Sequence, residues 1–141
     1  MKIYEKIFRI QCEVENLIKD ELNKFQKYQY FNEHQVLTKL KPLLEEYSIL
    51  IISSDENETL EYNKEEKEYL VKYLKRFKIV NIESNTNKEL NNEELILNFW
   101  AVGSNQDLAK AKGSAETYAM KYFLSKFFLI PVADQLDPDS K

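Results

Sequence analysis

Residues Trp100–Asp139 read WAVGSNQDLAKAKGSAETYAMKYFLSKFFLIPVADQLDPD, a run that joins a strand end, a helix and an acidic tail. Ser104 and Asp107 have capping-box spacing, in which the hydroxyl accepts from an orphan helix amide and the carboxylate reaches back to the cap. The helix is expected to begin at about Asn105 and to stop before Pro131, which cannot continue the hydrogen-bond ladder. A second start at Ser114, with Gly113 in the preceding turn, is the alternative. At about 100° per residue, Ala111, Ala115, Tyr118, Ala119 and Tyr122 share one arc, read as a core face. Lys110, Ser114, Thr117, Lys121 and Ser125 share another. That second arc is hydroxylated and cationic with no carboxylate, which suits a phosphodiester backbone; a solvated helix face is the competing reading. Gly113 costs about 1 kcal/mol relative to alanine inside a helix, so it is expected to admit the close approach of another backbone.

The same run carries a family resemblance. Gly103, Asp107, Lys110 to Ala119 (KAKGSAETYA), Lys121 to Leu124 (KYFL), and Phe128 to Pro131 with Asp134 and Asp137 resemble the signature of the Erf (essential recombination function) family of phage single-strand annealing proteins. The likeness is densest over the last third of the chain and looser upstream, at Tyr28 to Tyr30, Val36 to Tyr47 and Phe99-Trp100. Members commonly carry a further C-terminal segment that has no counterpart after Lys141. The resemblance implies ATP-independent annealing of single-stranded DNA by a ring or filament of identical subunits. It also implies a phage exonuclease or a single-strand binding protein as candidate partners, and residence in the bacterial host cytoplasm.

Composition narrows the classes open to the chain. Its 141 residues, 43% hydrophobic and 31% charged, fit one globular domain, with a short acidic tail from about residue 132. Two glycines and three prolines leave little room for linkers. With 20 basic against 24 acidic residues the net charge is −4, so a nucleic-acid surface has to be local rather than global. The lone Cys12 has no intrachain disulfide partner, and with the single histidine, His34, it does not make a metal site. No apolar run reaches membrane-span length, and the start MKIYEKIFRIQCEVE places acids where a secretory signal needs its apolar core. A soluble, cytoplasmic protein is expected, without membrane or cofactor.

Along the chain, Ile3, Ile7, Ile10, Val14 and Leu17 make a narrow helical stripe that serves either the core or a subunit contact. Lys24 to Phe31, KFQKYQYF, interleaves aromatics with lysines, a pattern on which bases stack while cations meet phosphates. Simple packing of Phe25, Tyr28 and Tyr30 is the alternative. Asn32 and Gln35 have capping-box spacing, before a helix with Val36, Leu37, Leu40, Leu43, Leu44 and Tyr47 on one face and a kink expected at Pro42. Ser48 to Ser53 is expected to be a short strand, Asp55 to Lys67 a solvated loop or hairpin tip, and Ser84 to Asn92 a turn. Glu68 to Glu83 fits both a helix and a strand; the resemblance favours one long strand. Glu94 to Val102 reads as a strand buried on both faces or against the long helix. The fold class is thus α+β: an antiparallel β-meander with helices packed on it, including a long C-terminal helix after the last strand.

The expected DNA contacts are Lys72, Lys75, Arg76, Lys78, Lys110, Lys112, Ser114, Thr117, Lys121, Lys27, Tyr28 and Tyr30. Catalytic machinery is not expected. The AKGSAET run lacks the spacing of a phosphate loop, and Asp134, Asp137 and Asp139 read better as a solvated tail than as a nuclease metal cluster. The rival function is a protein-interaction adaptor for replication or recombination partners, in which the basic strand meets an acidic surface.

Overall fold

The computed structural model describes residues 1–24, 32–83 and 92–131, with the backbone alone for 15–24. Within them run α1 (Ile3–Lys24), α2 (Glu33–Glu46), β1 (Ile49–Asn63), β2 (Glu68–Asn81), β3 (Glu94–Asn105) and α3 (Leu108–Phe127). The strands form one antiparallel sheet in the order β1-β2-β3. This is the expected α+β meander, with a long helix after its last strand.

The stripe of α1 belongs to the core. Ile3, Ile7, Ile10 and Val14 are buried against Val36, Leu40 and Leu43 of α2 and against Phe77, Ile79, Phe123 and Leu124. Those side chains are therefore not a subunit surface, because one face of a single helix cannot be buried twice. The capping box of α2 forms as its sequence predicts: the Gln35 amide donates to Asn32 Oδ1 at 2.8 Å and the Asn32 amide to Gln35 Oε1 at 2.9 Å. The helix continues through Pro42.

Strand β1 corrects the expected loop at Asp55 to Lys67. Pairing with β2 runs from Ile49↔Asn81 to Asn63↔Glu68, so the turn is confined to residues 64–67. Backbone ladders do not require apolar side chains, and charges are tolerated where a strand faces water. An irregularity between Glu56 and Thr59 absorbs the slip, with Asn57 at φ 56°, a left-handed conformation that asparagine adopts more readily than most residues. Strand β2 resolves the helix-or-strand ambiguity of its segment in favour of one long strand.

Alternation along β2 sends Val71, Tyr73, Lys75, Phe77 and Ile79 under the helices. Register places Ile51 and Asp55 on that side from β1, and Leu97, Phe99, Ala101 and Gly103 from β3. No described element packs on the opposite side of the sheet, and the residues of β3 alternate between exposed and sheltered, so β3 is not buried on both faces but against α3 on one.

The start of α3 also differs from its sequence reading. Asp107 is the N-cap, its carboxylate accepting from the amides of Ala109 and Lys110 at 2.8 and 3.3 Å, and Ser104 stays in β3. Ala111, Ala115 and Ala119 pack on Val71, Tyr73 and Ala101, and Phe123 stacks on Phe77 with ring centroids 3.8 Å apart. Tyr118 and Tyr122, expected in this core face, stand exposed instead. Alanines at successive i, i+4 positions let the helix lie so close that only this narrow line faces the sheet. The backbone approach expected at Gly113 occurs elsewhere: a Cβ on Gly103 would lie 2.3 Å from the Ala111 carbonyl oxygen, whereas one on Gly113 would meet nothing within 4 Å. Among the described residues, no helix is long and apolar enough to cross a membrane.

Candidate nucleic-acid interface

The basic residues of β2 do not share one surface, because successive strand residues point to opposite faces. Lys75 points inward and is 4% exposed. Its Nζ donates to Asp55 Oδ1 at 2.9 Å and lies 2.6 Å from Glu116 Oε2. Lys112, reaching down from α3, meets the same carboxylates, with Nζ 3.1 Å from Asp55 Oδ2 and 3.7 Å from Glu116 Oε1, and it caps the Tyr73 ring at 3.7 Å from the centroid. Burial alone would raise the Asp55 carboxyl and lower both ammonium groups, but the hydrogen bonds among them outweigh it. Asp55 is held below, and Lys75 and Lys112 above, their ordinary values. These two lysines thus join β1, β2 and α3; burial corrects the reading of Lys75 as an open phosphate contact, whereas Lys112 is engaged by the same carboxylates but stays part-exposed.

Lys121 needs the same correction. It is 9% exposed, its Nζ lies 5.7 and 5.1 Å from the Tyr118 and Tyr122 ring centroids, and burial lowers its ammonium pKa. Helical periodicity assigned it to an open stripe, but in the structure its side chain is buried. Lys110 and Thr117 are exposed and Ser114 is half-buried, so the stripe survives as a shorter outward patch beside Tyr118. Lys27, Tyr28 and Tyr30 lie outside the described residues, as do Asp134, Asp137 and Asp139. Among the described residues, no group of three or more His, Cys, Asp or Glu side chains could hold a metal.

Lys72, Arg76 and Lys78 do converge on the open face of the sheet. Across from them, β3 sets Val102, Asn98 and Ile96, and β1 sets Thr59, Ser54 and Ile52. Arg76 pairs with Glu56 at 3.4 Å and Lys78 with Glu94 at 3.8 Å, both part-exposed; such pairs contribute only about 0–1 kcal/mol. Between Lys72 and Arg76 lies Leu74, whose partner on β3 is Trp100, 56% exposed. Leu50, Ile52, Ile96 and Val102 are exposed around it. Sequence reading missed this apolar, aromatic component: the density of ELILNFWAV suggested burial on both faces or against the long helix, and only the second is found, on the inner face. The usable signal was its period of two: Leu95, Leu97, Phe99 and Ala101 alternate with Ile96, Asn98, Trp100 and Val102.

Comparison with known families finds a match: the model of the ERF superfamily covers residues 3–141. The chain belongs to the ERF superfamily. The match extends the likeness from the C-terminal third into α1. Gly103, Asp107, Ala111, Ala115, Ala119, Phe123 and Leu124 all serve the close seating of α3 on the sheet. No curated protein and no solved structure matches this ERF chain.

Proposed function

We propose that this protein binds single-stranded DNA and anneals complementary strands without nucleotide hydrolysis, as a phage-type recombination protein acting in the bacterial cytoplasm. Membership of the ERF superfamily over residues 3–141 carries the reading. The open sheet face supports it: Lys72, Arg76 and Lys78 lie there beside Trp100, and the part-exposed pairs of Arg76 with Glu56 and of Lys78 with Glu94 are weak enough for phosphates to displace. Cations bind phosphates without regard to sequence, and pairing between the strands supplies the specificity. Lys110, Ser114 and Thr117 on the outer side of α3 form a separate patch, on the opposite side of the molecule from the open sheet face. Repeated subunits lengthen the track by multivalency, and a phage exonuclease or a single-strand binding protein would hand over the strands.

The test mixes the protein with two complementary oligonucleotides in the absence of ATP and follows duplex formation. Annealing faster than the spontaneous rate, with single-strand affinity falling as salt rises, is the expected result. No acceleration and no single-strand binding would leave the adaptor reading, in which the same cations meet an acidic protein.

A further inference from the structure

Trp100 is the sole tryptophan of the chain, and its ring stands 56% exposed midway along β3. Phe99 and Ala101, its neighbours in sequence, face the helices, so a large ring could have been sheltered one residue away. On the open face its cross-strand partner is Leu74, and the diagonal neighbours of the pair on β2 are Lys72 and Arg76. Diagonal positions lie about 7–8 Å away, within reach of long side chains. Lys72 and Arg76 are themselves separated by about 13 Å of strand at roughly 3.3 Å per residue. An aromatic plane is thus bracketed by two cations on a shallow surface.

We infer that Trp100 is a base-stacking platform, on which one unpaired base lies against the indole while Lys72 and Arg76 hold phosphates on either side. The assignment rests on the single-strand-binding reading above and deepens it. Stacking on an aromatic face tolerates every base but requires a base whose own face is free, so Trp100 separates single strands from duplex while the lysine and arginine alone would bind either. Electrostatics favour DNA over a second copy of this chain as the occupant. The face also carries Glu56 and Glu94 beside Arg76 and Lys78, so two copies meeting here would set mixed charge against mixed charge with no net attraction, whereas an aromatic plane between Lys72 and Arg76 matches one base with a phosphate on either side. Phosphates complement the row, and the weak part-exposed contacts of Arg76 with Glu56 and of Lys78 with Glu94 yield to them.

Because Trp100 is the only tryptophan, its emission reports on this spot alone. Titration with unlabelled oligothymidylate is expected to quench it along the isotherm obtained from anisotropy of a labelled strand. Trp100→Ala should weaken single-strand binding on the order of ten-fold and leave duplex binding little changed, and Trp100→Phe should restore most of the loss. The phenylalanine variant and the wild-type titration keep the test intact should the alanine variant fail to fold. A strand that binds with unchanged emission and unchanged Trp100→Ala affinity overturns the stacking assignment while the binding reading stands, and places DNA on another surface. An emission shift that follows protein concentration without DNA assigns the face to a second copy and overturns it too. Absence of any single-strand binding removes both this inference and the proposed function.

Discussion

Gly103 and Gly113, the two glycines of the chain, show how little a residue type says without its surroundings. Around Gly103 the helix backbone leaves no room, since a Cβ would lie 2.3 Å from the Ala111 carbonyl oxygen and 2.7 Å from the Ala115 amide nitrogen. Gly103→Ala must push α3 off the sheet and is expected to cost about 3 kcal/mol or more, at the upper end of overpacking penalties. Gly113 faces open space without a positive φ. There an alanine relieves the helix of its least favourable residue and should add about 0.5–1 kcal/mol. Urea unfolding of the two variants checks both signs at once. A Gly103→Ala protein as stable as wild type would mean that α3 is not seated as described. The sequence marked both glycines as exceptional but read the close approach into Gly113, because helix propensity is local and the seat of a helix is not.

At the scale of elements, the ion cluster of Asp55, Lys75, Lys112 and Glu116 fastens β1, β2 and α3 together. Asp55 has a folded pKa below its unfolded value, so its contribution is present above roughly pH 4 and is lost as pH falls through the folded value. Lys75 and Lys112 have raised folded values, so theirs is present below about pH 10 and is lost as pH rises through them. A stability plateau between those limits follows. Lys75→Met should lower stability on the plateau by roughly 1–3 kcal/mol, less than the loss of a fully buried partner because Asp55 and Glu116 keep Lys112 and some water. Thermal melts from pH 3 to pH 10, chosen as a rough bracket of the ordinary pKa values, test it. Wild type and variant should converge at the acid end, and a constant gap at every pH would show that the loss is packing rather than charge.

At the scale of the molecule, β1 and β3 each leave one edge of the sheet without a strand among the described residues. Unpaired edges are templates for another chain, and β1 of one copy meeting β3 of the next is a head-to-tail contact that generates a ring or a filament. With Ile3, Ile7, Ile10 and Val14 of α1 committed to the core, the sheet edges are the candidate surfaces for the proposed assembly. Light scattering should therefore show a mass that rises with protein concentration, as mass action requires. A species that remains monomeric over that range would count against the track, though not against binding by a single copy.

The sequence by itself determined the kind of elements and most of their order, because those follow from local periodicity and end signals. The Asn32-Gln35 box, the stripe from Ile3 to Val14 and the helix ending before Pro131 are legible without partners, whereas the segment from Glu68 fits helix and strand alike until its pairing with β1 and β3 makes it a strand. Tertiary structure alone decided which side chains are available. Lys75 and Lys78 read alike in sequence, but register turns one under the helices and leaves the other in the open. Lys121 is cationic on an apparent surface stripe yet is buried in the structure, and Trp100 sits in a strand dense in apolar residues yet stands exposed on the face that no described helix covers. Exposure depends on what packs from elsewhere in the chain, and that is set by long-range contacts which no window of neighbouring residues contains.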